Sequence, residues 1–330
     1  MLNPAQKLNP KVFDLNVEQA PIRKGFGEGL VAAAEQDERI VGLCADLTES
    51  TQMHLFKNKF PQRFVEIGVA EQNLAGVASG LAAMGKIPFL SSYAMFSPGR
   101  NWEQIRTTIC YNNRNVKIVG SHAGVSVGPD GGTHQAIEDI AIMRVIPRMT
   151  VVVPADALEA KRATMAIAKH DGPAYLRLAR EKTPVITTDD SPFIIGQANV
   201  LISPEKTTVV IIACGPLVYN ALVAARLLAR EKTMVTVINC HTVKPLDKET
   251  ILTEVKRAGA VVTVEEHQQI GGLGGAVAEL LAANYLAPIE FVGVRDEFGQ
   301  SGTPAELVEH YNLGVTGITA AIKRVLARRG

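Results

Sequence analysis

Two histidines and an aspartate sit in one glycine-rich stretch, Gly120-Ser-His122-Ala-Gly-Val-Ser-Val-Gly-Pro-Asp130-Gly-Gly-Thr-His134-Gln-Ala-Ile-Glu138. Glycines let backbone approach a ligand closely, and imidazoles titrate near neutral pH. The stretch follows an expected strand end, where open α/β sheets bind their ligands. The plain alternative is that Asp130 and Thr133 only cap turns and the helix expected at Ile137. Two histidines this far apart, with no Cys or third His, do not make a metal site.

A different chemistry is written into Phe64-Val-Glu-Ile-Gly-Val-Ala-Glu71-Gln-Asn-Leu-Ala-Gly-Val-Ala-Ser-Gly-Leu-Ala-Ala-Met84. One carboxylate, Glu71, lies in the first turns of a near-continuous apolar segment, and the local sequence offers it no basic neighbour. Burial should raise its pKa and favour the protonated form, which can donate a hydrogen bond to a heterocycle nitrogen. The alternative is a helix N-terminal glutamate that faces water. Tyr93 and Phe96, three residues apart in Ser91-Ser-Tyr-Ala-Met-Phe-Ser-Pro-Gly-Arg100, can stack on a flat ring or simply pack in the core. Gly271-Gly-Leu-Gly-Gly275 looks like a dinucleotide loop, but Val277 stands where the third glycine belongs. It reads as a tight turn and a helix start.

Short β-branched runs alternating with helical patterns must position these groups, which indicates α/β layers around parallel sheets. Strands are expected at Ile40–Leu43, Phe64–Glu66, Ile87–Ser91, Lys117–Gly120, Thr150–Val153 and Ala174–Leu178. Helices fit Ile22–Gln36, Gln72–Met84, Trp102–Tyr111, Ile137–Arg144 and Ala157–Lys169, the last with Asp156 as its N-cap. The polar run Thr187-Thr-Asp-Asp-Ser-Pro192 marks the expected boundary between a domain over 1–188 and a smaller one over 189–330. Beyond it, strands at Val209–Ala213, Val235–Asn239, Ala260–Glu265 and Ile289–Gly293 alternate with helices at Leu217–Arg230, Lys248–Arg257 and Leu273–Asn284.

Composition narrows the function classes. With 330 residues, 47% hydrophobic and 20% charged, the chain suits a globular protein of two domains. A net charge of +1 gives no case for nucleic acid or an acidic membrane as main partner. No apolar run approaches the ~18–20 residues of a membrane span. Cys44, Cys110, Cys214 and Cys240 form no CxxC pair, so reduced, mostly buried thiols and a cytoplasmic location are expected. The first ten residues lack the apolar core of a signal peptide.

In combination, these motifs resemble the transketolase family, over nearly all of residues 12–328. The resemblance is to the pyrimidine-binding and C-terminal domains of that thiamine-diphosphate family, and it implies two α/β domains: a parallel sheet in the first, a mixed one in the second. Gly-Val-Ala-Glu71-Gln-Asn resembles the segment whose glutamate hydrogen-bonds the cofactor's aminopyrimidine. Tyr93 and Phe96 fall where the family packs aromatics around that ring, although Gly99 stands where a third aromatic is common. Asp130-Gly-Gly-Thr-His134-Gln resembles the loop that reaches the sugar substrate. The resemblance further assigns Arg23, Ser50, His122 and Arg180 to the substrate's terminal phosphate, and Asp46 to the neighbourhood of the cofactor. Two guanidinium forks, a hydroxyl and an imidazole do suit a phosphate dianion.

The resemblance thus implies transfer of a two-carbon ketol unit between sugar phosphates, with Glu71, His134 and His122 as the catalytic residues. The Gly-Asp-Gly…Asn segment that holds Mg²⁺ and the diphosphate is missing from the sequence. A partner chain, the N-terminal transketolase subunit, is therefore expected to bind the metal, most simply in an α₂β₂ assembly. Gly76 and Gly80, at helical spacing, would allow close helix approach at such an interface. Three other functions remain open: the β subunit of a 2-oxoacid dehydrogenase, a fragment similar to deoxyxylulose-phosphate synthase, and a non-catalytic regulatory subunit. His267, in Glu-Glu-His-Gln-Gln, reads as structural or interfacial.

Overall fold

The computed structural model describes residues 2–329 and contains two main sheets. The first has seven strands in the spatial order Thr242–Lys244, Thr150–Val152, Ala174–Arg177, Lys117–Ser121, Ile87–Tyr93, Ile40–Cys44 and Phe64–Glu66. The second has five, in the order Ile289–Val294, Val261–Gln268, Val209–Ala213, Val235–Asn239 and Asn199–Ile202. Central strands such as Ile40–Cys44 and Val209–Ala213 are buried at every position. That is what continuous β-branched runs achieve when helices cover both faces.

The expected strands and most expected helices form within a few residues of their predicted ends. Ile22–Gln36 packs lengthwise on Ala157–Lys169 because Gly25 and Gly29 bring the backbones together. A Cβ on Gly25 would fall 1.8 Å from the Ala157 carbonyl oxygen. Asp156 caps Ala157–Lys169 as expected, accepting from the Glu159 amide at 2.8 Å. Its other oxygen accepts from the Ile186 and Thr187 amides, so the cap also anchors the chain leaving the first sheet.

Two expectations need correction. The first sheet is not wholly parallel: Thr242–Lys244, from the second half of the chain, runs antiparallel to Thr150–Val152 and covers its edge. Three residues are too few to show a period in sequence, and an unpaired edge is a liability that a borrowed strand removes. The halves also interleave at the other end, where the Asn3 amide donates to the Leu201 carbonyl of the second sheet. The second correction concerns Trp102–Tyr111, which is α-helical only to Gln104 and continues as a π-helix over Ile105–Tyr111. All four cysteines are buried and free. Among the described residues, no helix is long and apolar enough to cross a membrane.

Candidate active site

The residues singled out above gather beyond the carboxyl ends of the first sheet's strands. Glu71 opens the helix Glu71–Ala83 and is only 4% exposed. The cation that its local sequence lacks is brought in by the fold. Arg100, distant in sequence, places Nη1 at 3.3 Å from both carboxylate oxygens. The same guanidinium lies over the Phe96 ring, 4.3 Å from its centroid. Asn101, fully buried, donates from Nδ2 to the Glu71 carbonyl at 3.0 Å and to Ser97 Oγ at 3.1 Å, which fixes the start of the helix.

Asp46 is exposed, in left-handed backbone, at the loop that follows Ile40–Cys44. Glu66 ties that loop to the segment before Glu71. Its Oε1 accepts from the amides of Asp46 at 2.8 Å and Gly68 at 3.1 Å, and its Oε2 from Thr48 Oγ1 at 2.9 Å. No side-chain hydrogen bond joins Asp46 to Glu71 or to the aromatic residues among the described residues.

Tyr93 and Phe96 stack at 6.0 Å between centroids, and Tyr93 stacks on His122 at 3.9 Å. His134 meets both aromatic rings edge-on, at 6.4 and 5.4 Å. The loop His122–His134 and the aromatic pair therefore form one surface. Beside it, Arg23 Nη1 donates to the Ser50 carbonyl at 2.6 Å and lies 3.4 Å from His122 Nε2. Ser50 thus meets Arg23 through its backbone carbonyl. Arg180 donates to the Val127 carbonyl at 2.6 Å and stands 3.8 Å from Asp130.

His122 is buried, and burial first, then the charges of Arg23, Arg180 and His134, push its pKa down to about 3. It is a neutral imidazole at physiological pH, held at Nδ1 by Ser121 Oγ at 2.8 Å. Burial, followed by repulsion from Arg180, also lowers the pKa of Arg23. Two guanidinium groups that repel each other beside a neutral imidazole form a site that an anion would relieve.

Phe96 and Glu71 already receive a flat cationic donor, the Arg100 guanidinium, which stacks on one and hydrogen-bonds the other. A protonated heteroaromatic ring needs that same pair of surfaces, so the residues present fit one. For a metal the fit fails: no cluster of three or more His, Cys, Asp or Glu suited to a metal ion exists among the described residues. A cavity of about 590 Å³ lined by Gln36, Asp37, Arg39, Asn115 and Lys169 lies at the opposite, amino-terminal ends of the strands. It shares none of these residues.

Arg100, Asn101 and Glu66 escaped the sequence reading. The first two sit just past the aromatic pair, but nothing in the spacing says that the turn folds back onto Glu71.

Comparison with known proteins matches residues 18–185 to the pyrimidine-binding domain of transketolase and residues 196–318 to the transketolase C-terminal domain. The chain is 45% identical over 304 residues to a putative transketolase C-terminal section of Methanocaldococcus jannaschii, covering 91% of this chain and 95% of that protein. It is 41% identical over 317 residues to a 6-deoxy-6-sulfo-D-fructose transketolase subunit of a Clostridium species, covering 96% and 98%. A solved split-gene transketolase, described as an inactive β4 tetramer, superposes with a TM-score of 0.87 at 43% identity, over 94% of this chain and 99% of that one. Human transketolase is 33% identical over 93% of this chain, which spans 49% of the human protein.

Proposed function

Because the chain belongs to the transketolase family and matches its pyrimidine-binding and C-terminal domains in order, we propose that it is the glutamate-bearing subunit of a two-chain, thiamine-diphosphate-dependent transketolase. The observation that carries this reading is the convergence of buried Glu71, the Tyr93–Phe96 face and the Arg23–His122–Arg180 group at one sheet edge. In this reading the cofactor, when bound, supplies the nucleophilic carbon that accepts the two-carbon ketol unit. Everything else is the work of side chains.

Glu71 would hydrogen-bond the aminopyrimidine ring, which would take the place at its carboxyl group now held by Arg100 Nη1. Phe96 and Tyr93 give that ring an apolar face and keep water from it. Arg23 and Arg180, with neutral His122, bind the terminal phosphate of the sugar and fix its register along the site. His134 and His122 hydrogen-bond or carry protons for the sugar hydroxyls, and Asp130 orients one of them. Mg²⁺ and the diphosphate belong to the partner, an N-terminal transketolase subunit. Gly76 and Gly80 face outward with nothing within 4 Å of where a Cβ would stand, which leaves that helix free for close approach in an α₂β₂ assembly. We place the domain division at residue 188 and the enzyme in the cytoplasm.

Two anion-seeking guanidinium groups favour a sugar phosphate over the small oxoacid of a 2-oxoacid dehydrogenase. They would accept a sulfonate by charge as well, the group named in the Clostridium relative's substrate. The test is reconstitution with the N-terminal partner, thiamine diphosphate and Mg²⁺, assayed with xylulose 5-phosphate or a sulfonated ketose as donor and ribose 5-phosphate as acceptor. Ketol transfer is expected. Pyruvate-dependent CO₂ release would move the function to the oxoacid or deoxyxylulose class. An assembled complex inert to all of these would establish the regulatory reading instead.

A further inference from the structure

The strand Val261–Gln268 ends in three consecutive buried groups, Glu265, Glu266 and His267. Two of them do not reach the substrate loop. Glu265 accepts from the Leu273 and Gly274 amides, both at 2.7 Å, and so closes the start of the helix Leu273–Asn284. His267 has Nδ1 at 2.8 Å from the Gln268 carbonyl, and its Nε2 accepts from the Ala141 amide at 3.3 Å.

Glu266, on the opposite face of the strand from Glu265, reaches out of its own domain. Its Oε1 accepts from the Ser126 amide at 2.5 Å. Ser126 lies in the 3-10 turn Val125–Val127, within the loop that carries His122, Asp130 and His134. The next carbonyl in that turn, Val127, is the one that receives Arg180. A carboxylate from the second half of the chain therefore fixes the backbone against which a proposed phosphate-binding arginine leans.

The approach is close enough to dictate sequence. A Cβ on Gly124, whose φ is 89°, would fall 2.4 Å from Glu266 Cδ. Other straps reinforce the contact. Gln135 Nε2 donates to the Val125 carbonyl at 3.0 Å and to the Gln300 carbonyl of the second half at 3.0 Å. Arg177 Nη2 donates to the Glu266 carbonyl at 2.8 Å and to the Ala136 carbonyl at 3.2 Å, joining the far end of the loop to the strand.

Stability alone does not call for this arrangement. Glu266 is 1% exposed, yet its Oε2 has no hydrogen-bond partner. A buried carboxylate satisfied on one oxygen is costlier than an apolar side chain of similar volume. What the side chain supplies, and an apolar one of the same size would not, is an acceptor at a fixed point beneath the loop.

We propose that Glu266 is a positioning residue for the substrate loop, and that the C-terminal domain acts through it as the main clamp that sets Arg180 and His122 to His134 in register. The proposal rests on the reading of that loop as the sugar-phosphate site. Its structural half can be tested apart from turnover.

The experiment compares Glu266→Ala, Glu266→Gln and the control Glu265→Gln in the complex with the partner chain. It reads amide exchange of the peptide spanning residues 120–136 together with KM and kcat. Glu266→Ala should lose protection in that peptide at least tenfold, selectively, and raise KM for the phosphorylated ketose about ten- to a hundredfold, with a smaller change in kcat. Glu266→Gln keeps an acceptor oxygen and should restore both readings to within about threefold of wild type. Glu265→Gln should lower the melting temperature without loosening the loop. If Glu266→Ala does not fold, Gly124→Ala pushes the same carboxylate away from the loop side and should give the same local signature.

Unchanged protection of the loop in Glu266→Ala, or a loss spread evenly over the chain, would overturn the proposal. So would loosening without rescue by glutamine. If the loop loosens selectively while wild type shows no ketol transfer, the clamp stands and the functional reading falls.

Discussion

The carboxyl ends of the two sheets are both rich in titratable side chains, yet only one of them leaves those side chains open to a ligand. At the first sheet, Arg23, Arg180 and His134 are half-buried and Asp130 is exposed, with Arg180 and Asp130 facing each other at 3.8 Å. At the second sheet, Glu265, Glu266 and His267 are sealed and spend their hydrogen bonds on backbone amides and carbonyls. Residue type does not separate the two edges. What separates them is access: the first edge keeps charged groups partly open, whereas the second encloses its own, including the unpartnered Glu266 Oε2, where no ligand can reach them.

The sharpest way to break this contrast is at Glu71. Replacing it with alanine should cut ketol transfer of the reconstituted enzyme by about 10²–10⁴-fold while the melting temperature of the chain stays close to wild type. Turnover near wild type in a loaded Glu71→Ala complex would remove the carboxylate from the mechanism and, with it, the first sheet's claim to the chemistry.

The next largest effect concerns stability, at the junction of the two edges. Arg177 and Asp139 form a fully buried pair at 2.8 Å, to which the Tyr175 hydroxyl also donates. Asp139→Ala leaves Arg177 charged and enclosed, and should cost about 3–5 kcal/mol in denaturant unfolding. A loss below ~1 kcal/mol, the range of surface pairs, would show that water reaches the pair and that the junction is not sealed.

A smaller, more specific change is expected at Arg23. Arg23→Ala should raise KM for a phosphorylated donor about tenfold or more, through loss of charge-assisted hydrogen bonds, and leave activity with an unphosphorylated ketose nearly unchanged. Equal losses with both donors would mean that Arg23 shapes the loop and does not read the anion.

The smallest effect is on pH. His122 is held neutral to about pH 3, whereas its ordinary value is 6.5. Between those values the unfolded chain binds a proton that the folded chain refuses, so this share of stability is complete above pH 6.5 and is lost as pH falls through the window. Glu159, raised to about 7 mainly by burial and then by Asp156, acts in the opposite sense between 4.5 and 7, so the total curve mixes the two. An NMR titration separates them. The His122 ring should show no protonation between pH 8 and 5, and a midpoint near 6.5 would place that ring in water.

Much of this was legible before any fold was drawn. Helices such as Ile22–Gln36, Leu217–Arg230 and Leu273–Asn284 have their ends where the apolar periodicity stops, because those ends depend on neighbours in sequence. The Asp156 cap and the glycine-rich loop are local in the same sense. Thr242–Lys244 was not legible, since three residues carry no period and their pairing with Thr150–Val152 is a contact across the chain. Nor was the meeting of Arg100 with Glu71, or that of Glu266 with Ser126.

The sequence by itself determined which side chains were available, where most of the longer elements begin and end, and the family whose motifs they make up. Local propensity, capping and periodicity act over a few residues and leave their mark in order along the chain. Only the tertiary structure decided which charges stand beside which: that Glu71 has a cation at 3.3 Å, that His122 lies neutral between arginines, and that a second-domain carboxylate sits under the loop. Those outcomes depend on distance and burial, because Coulomb energy and desolvation vary with position in space and not with position in sequence.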